Sequence, residues 1–91
     1  MAKIEIGYYG RFAEITGRAS EVLDLGDPTL GNLIGLVRKK YGEKFDDVIW
    51  DKQNNSLKNG VSVLINGRAL PLDTKLRASD QVAFLMLMAG G

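Results

Sequence analysis

The chain has 91 residues, enough for one domain with one core. Hydrophobic residues make up 45% and charged residues 25%, and a net charge of +1 with both signs interspersed leaves no basic field for nucleic acid or an acidic membrane. Cysteine and histidine are both absent, which removes disulfides, thiol nucleophiles, thiolate or imidazole metal sites and the usual acid/base group of neutral pH. No apolar stretch reaches the roughly 18–20 residues of a membrane span. Met1-Ala2-Lys3 leads into a predicted strand rather than a signal peptide, so a cytoplasmic protein is expected.

Lys3 to Tyr9 alternates, with Ile4, Ile6 and Tyr8 on one side and Lys3, Glu5 and Gly7 on the other, which predicts a strand with one buried face. Gly10 to Gly17 is a short connection that can hold one helical turn with Phe12 and Ile15 inward. Glu21 to Leu25 reads as a second strand with Leu23 and Leu25 inward, closing a hairpin with the first. Asp27-Pro28-Thr29 opens a helix, with Thr29 as the favoured N-cap and Asp27 as the alternative. Leu30, Leu33, Ile34, Val37 and Tyr41 form one apolar stripe. Arg38, Lys39 and Lys40 complement the dipole at the helix end, and Gly42 stops it. Gly31 and Gly35 each cost this helix about 1 kcal/mol against alanine; close backbone approach and tolerated surface glycines are equally good accounts.

Glu43 to Asn59 reads as irregular, anchored by Phe45, Val48, Ile49 and Trp50, with an exposed loop tip over residues 51–56. Val61 to Ile65 is a strand, and Asn66-Gly67 is the strongest hairpin signal in the chain, with Arg68-Ala69-Leu70 as its return. Leu72 to Leu76 is a further tight segment, and Ala78-Ser79-Asp80 turns into a final strand, Gln81 to Leu87. That strand is apolar on both faces, Val82, Phe84 and Met86 alternating with Ala83, Leu85 and Leu87, as suits a central strand and not an edge.

This order predicts an α+β roll of the β-grasp, or ubiquitin-like, type: a mixed sheet of four to five strands with one main helix packed across it. First and last strands lie parallel at the centre, and the helix supplies the crossover that parallel neighbours need. Residues 1–91 are read as a single domain with a flexible tail over about residues 88–91. Only one sheet face can meet the helix, so part of the other, near the tail, is expected to be apolar and open to a partner.

Gly90-Gly91 is the one constellation with chemistry attached. A terminal carboxyl titrates at about 3.3–3.7, so it is ionised and a poor electrophile until an enzyme activates it, most simply as an acyl-adenylate. Glycine leaves the acyl carbon unhindered and lets the tether thread a narrow channel. Other candidates fall short: Gly7 to Gly17 lacks phosphate-loop spacing, Asp46, Asp47 and Asp51 lack a calcium-loop pattern, and Tyr8, Tyr9 and Phe12 lack the basic surround of a base-stacking site.

Across nearly its whole length the chain resembles the ThiS/MoaD sulfur carriers, and within them the small subunit of molybdopterin synthase, MoaD. The resemblance lies in residues 8–17 (YYGRFAEITG), Thr29 to Ile34, Lys40-Tyr41-Gly42, Val63 to Arg68, Leu72 to Leu76, Asp80 to Phe84 and the final Gly-Gly. The segment after the first strand favours MoaD, since ThiS chains are shorter there. The ending Leu85-Met86-Leu87-Met88-Ala89 departs from the Pro-Pro-Val-like stretch common in the group and is closer to ThiS.

The resemblance implies that a MoeB-like adenylating enzyme uses ATP to adenylate Gly91, which becomes a thiocarboxylate. A MoaE-like large subunit would then take the tail and pass the sulfur to cyclic pyranopterin monophosphate in molybdenum cofactor biosynthesis. The chain would be a cosubstrate, not catalytic alone, with no cofactor or metal of its own. Gly90 and Ala89 would thread the partner's channel, and Leu85, Leu87 and Met88 would help dock it. The small archaeal modifiers share this body and tail, so isopeptide conjugation to protein lysines stands as an alternative, beside sulfur delivery for thiamine or tRNA thiolation.

Overall fold

The computed structural model describes residues 2–86. Strand β1, Ala2–Tyr8, pairs antiparallel with β2, Ser20–Leu25, across the short helix α1, Arg11–Thr16. Helix α2, Leu30–Tyr41, and helix α3, Glu43–Ile49, follow. A hairpin with a four-residue loop, residues 52–55, joins β3, Trp50–Asp51, to β4, Ser56–Leu57. Then come β5, Val61–Ile65, β6, Arg68–Ala69, and β7, Gln81–Met86. The main sheet runs in the order β2-β1-β7-β5-β6, with β7 parallel to β1 and antiparallel to β5. This is the β-grasp arrangement, with the last strand in the middle of five.

One core fills the space between sheet and helices. Ile4, Ile6, Leu23, Leu25, Val63, Ile65, Val82 and Phe84 meet Leu30, Leu33, Ile34 and Val37 of α2. At one end, Tyr8, Phe12, Phe45 and Phe84 form an aromatic cluster with ring centroids 5.4–6.4 Å apart. These edge-on and tilted contacts tie β1, α1, α3 and β7 together directly beneath the end of β7.

The caps follow local chemistry. Thr29 accepts from the Asn32 amide at 3.2 Å and so is the N-cap of α2. The first helical amides are also taken: Leu30 donates to Thr74 O at 2.9 Å and Gly31 to Leu72 O at 2.8 Å. A Cβ on Gly31 would stand 3.2 Å from that same carbonyl, whereas one on Gly35 would meet nothing. Close approach therefore explains the first glycine and not the second. Asn66 and Gly67, with φ of 52° and 82°, make the two-residue β5–β6 turn. Asn66 Oδ1 also accepts from the Gln81 amide, pinning the turn to the start of β7.

One expectation needs correction. Residues 43–49 are helical, not irregular. Phe45, Val48 and Ile49 share one side of this helix, and Glu43 and Asp46 lie in its first turn, where they favour the dipole. Gly42, at φ 76° and ψ −153°, lets α3 start directly after α2. The exposed loop tip survives only as the turn of the β3–β4 hairpin, where Asp51 accepts from the Gln53 and Asn54 amides.

Candidate functional site

The residues expected to carry the chemistry, Gly91, Gly90, Ala89, Met88 and Leu87, lie outside the described residues. Leu85, the remaining one, is half-buried on the sheet face turned away from α2, opposite Ser62 of β5. Met86 pairs with Val61 at the rim and is 37% exposed. The open face around them is mixed, Gly7, Ala83, Leu64 and Leu85 being half-buried and Glu5 and Val22 exposed. The expected apolar surface is thus present but small, and it is concentrated where β7 ends.

Tyr9 dominates that end. It is 57% exposed, yet its backbone is fixed by donation to Phe84 O at 3.0 Å and acceptance from the Phe12 amide at 3.1 Å. Its ring lies against Gly7, where a Cβ would come within 3.1 Å of the ring edge and the hydroxyl oxygen. Gly10 turns the chain from β1 into α1 at φ 56° and ψ −124°, a conformation that side chains strongly disfavour. Tyr9, Gly10, Arg11, Glu14, Leu85 and Met86 together enclose a groove of about 650 Å³. Sequence reasoning weighed Tyr9 as a base-stacking residue and set it aside. The signal that marks it is the phase of β1, since a residue following Tyr8 in strict alternation points to the open face.

A second polar cluster went unread in the sequence. Glu21 is in phase with Leu23 and Leu25 and is therefore carried inward, where it is 8% exposed. Its carboxylate accepts from Tyr8 Oη at 2.6 Å, from Tyr41 Oη and from Lys40 Nζ at 2.5 Å, with Arg18 3.5 Å away. Burial alone would push the Glu21 carboxyl up, but donors from Lys40, Tyr41 and Tyr8 together hold it below the ordinary range. Burial and the neighbouring carboxylate push Tyr8 upward. The carboxylate is fully engaged, so the cluster is a tie between β1, β2 and the end of α2.

Arg38 is likewise engaged and not merely solvated: it binds Asp46 of α3 at 2.5 Å and stacks on Trp50 at 4.2 Å. The Arg38 hydrogen bond lowers the Asp46 carboxyl below its usual value, with Lys52 adding to it. Among the described residues no group of three or more histidine, cysteine, aspartate or glutamate side chains could hold a metal ion. None of their helices is long and apolar enough to cross a membrane.

A family model described as the ThiS family matches residues 6–91, nearly the entire chain. The chain belongs to the ThiS family. It is a family of small ubiquitin-like sulfur carriers. No curated protein matches the chain by sequence. Among solved structures, SAMP1 from Haloferax volcanii superposes with a TM-score of 0.84 at 23% identity, covering 99% of this chain and 100% of that one. A putative molybdopterin converting factor, subunit 1, from Pyrococcus furiosus gives 0.79 at 23% identity, with 97% and 100% covered. Urm1 from Trypanosoma brucei gives 0.73 at 26% identity, with 98% and 95% covered. Each shares the fold of this ThiS-family chain.

Proposed function

We propose that this chain is a MoaD-type sulfur carrier, the small subunit of a molybdopterin synthase, with Gly91 as the atom-bearing residue. The observation that carries the reading is the pairing of ThiS-family membership with a Gly90-Gly91 terminus following a central, parallel β7. The aromatic cluster packs beneath β7, the strand that precedes the tail in the chain, so an enzyme can locate the terminus by gripping the body.

The chemistry balances without a side chain from this protein. A Gly91 carboxylate oxygen attacks the α-phosphorus of ATP held by a MoeB-like enzyme. A C–O–P linkage forms, a phosphoanhydride bond breaks and pyrophosphate leaves. A hydrosulfide equivalent from a sulfur donor then attacks the acyl carbon, expelling AMP and leaving a thiocarboxylate. In the complex with a MoaE-like subunit, the thiocarboxylate sulfur bonds to a carbon of cyclic pyranopterin monophosphate and displaces an oxygen substituent from it; water then cleaves the acyl C–S bond, leaving the sulfur on the pterin and restoring the Gly91 carboxylate. ATP is bound by the activating enzyme, not by this chain, whose lack of cysteine agrees with sulfur carried on the carboxyl carbon.

Conjugation is the second reading, because the same activated glycine can acylate a lysine amine. The fold is shared with a protein described as a small archaeal modifier, with a TM-score of 0.80. Intact-mass measurement of protein taken from its native cells separates the two. A terminus heavier by the difference between sulfur and oxygen supports the carrier, and Gly-Gly remnants on lysines of other proteins support the modifier. Finding neither would leave a non-covalent interaction module and overturn both.

A further inference from the structure

Two of the five asparagines, Asn59 and Asn66, are followed by glycine. Asparagine is thermolabile, and a following glycine makes it most so, having no Cβ to hinder attack by its amide nitrogen on the asparagine side chain. Both residues are exposed, so access does not separate them. Bonding does. Asn66 Nδ2 donates to Asp80 Oδ1 at 2.9 Å, its Oδ1 accepts from the Gln81 amide at 3.0 Å, and its own amide donates to Gln81 O at 2.8 Å. Asp80 is fixed in turn by the Arg77 amide at 2.7 Å. Among the described residues the Asn59 side chain has no such partner, and its turn is closed by one bond, Val61 N to Lys58 O at 3.1 Å. Gly60 sits in that turn at φ 89°.

We propose that Asn59 is a site of spontaneous covalent modification, in which its side-chain amide is lost and the main chain beside β5 is rebuilt, while Asn66 is protected by the bonds that pin its turn. The Gly60 amide nitrogen gives up its proton and bonds to Asn59 Cγ; the Cγ–Nδ2 bond breaks, and ammonia leaves with that proton. Water then opens the resulting five-membered imide. Cleavage at Cγ gives aspartate. Cleavage at the main-chain carbonyl gives isoaspartate, in which the chain runs through the former side chain. No oxidant or reductant is consumed. Position gives the change a consequence. Gly60 is followed directly by Val61, which pairs with Met86 where β7 ends. Isoaspartate puts one extra carbon into the main chain just before that pair, so the Lys58–Val61 turn no longer delivers β5 in the same register.

The test is ageing of the full chain in mildly alkaline buffer, followed by peptide mapping. Isoaspartate is counted by methyl transfer from labelled S-adenosylmethionine with an isoaspartyl-specific methyltransferase. In the folded protein Asn59 is expected to convert about tenfold faster than Asn66, and the two should converge in urea, where both turns are lost. Asp80→Ala frees Asn66 Nδ2 and should raise conversion at Asn66 severalfold while leaving that at Asn59 unchanged. Asn59→Gln should remove the methyl acceptor at this position. The isoaspartate form, separated by ion exchange, is expected to melt below Asn59→Asp, which has the same charge and an unaltered main chain. Equal rates at the two sites in the folded protein overturn the proposal, as does conversion of Asn59 in urea alone. A folded Asp80→Ala chain that keeps Asn66 intact overturns the protective role of its bonds. Equal melting of the isoaspartate form and Asn59→Asp overturns the effect on β5.

Discussion

At the scale of single residues, Glu21 is the clearest case of a polar group used for structure. Glu21→Ala strands the buried Tyr8 hydroxyl, and urea denaturation should show a loss of about 1–3 kcal/mol. In a Tyr8→Phe background the same change should cost clearly less; an equal cost would mean that the hydroxyl finds another partner. The carboxyl is depressed in the folded state, so its contribution is complete above the unfolded value of about 4.3. It drains as pH falls through the lower folded value. The wild type should accordingly lose more stability than Glu21→Ala between about pH 6 and pH 3. The two helical glycines make a matched pair. Gly35→Ala meets open space and should stabilise by about 0.5–1 kcal/mol. Gly31→Ala presses on Leu72 O, which is already held by the Gly31 amide, so thermal denaturation should show a smaller gain or a loss. Equal gains would mean that the segment around Leu72 yields freely.

At the scale of elements, β7 is the keystone. Phe84 is fully buried between neighbours on β1 and β5 and touches three other aromatic rings. Phe84→Ala should cost about 3–5 kcal/mol by denaturant titration, and a loss below about 1 kcal/mol would contradict its central place. The long-period signals were legible in the sequence: the alternation of β1 and β2, the stripe of α2 with its Thr29 cap, the Asn66-Gly67 turn and the two-faced apolar β7. Helix α3 was not, because its seven residues give only two turns. Phe45, Val48 and Ile49 were recognised as anchors, but their spacing is too short a run to declare a period. Glu21 escaped for a different reason. This charged residue in an inward phase takes its hydrogen bonds from α2 and β1, and nothing local to its own strand announces those donors.

At the scale of the whole molecule, the proposed carrier function assigns separate duties to body and terminus. Deleting Gly91 or adding one residue after it should abolish activation in a pyrophosphate-exchange assay while leaving the melting temperature nearly unchanged. Full activity of the extended form would contradict a role for the terminal carboxyl. The tail itself was read from sequence alone, whereas the groove beside it required the fold, since Tyr9, Arg11 and Leu85 are brought together only when β7 enters beside β1.

The parallel pairing of β1 with β7 joins residues 76 positions apart, Glu5 with Gln81. Until synthesis has passed residue 86 the hairpin β1–β2 has no neighbour on its inner side, and the core lacks Val82 and Phe84. Contacts of such separation close late and all at once. A nascent chain interrupted upstream therefore has no finished body, so a folded molecule is also one that has been translated through its last strand. Proofreading of the carrier is in this way written into its topology.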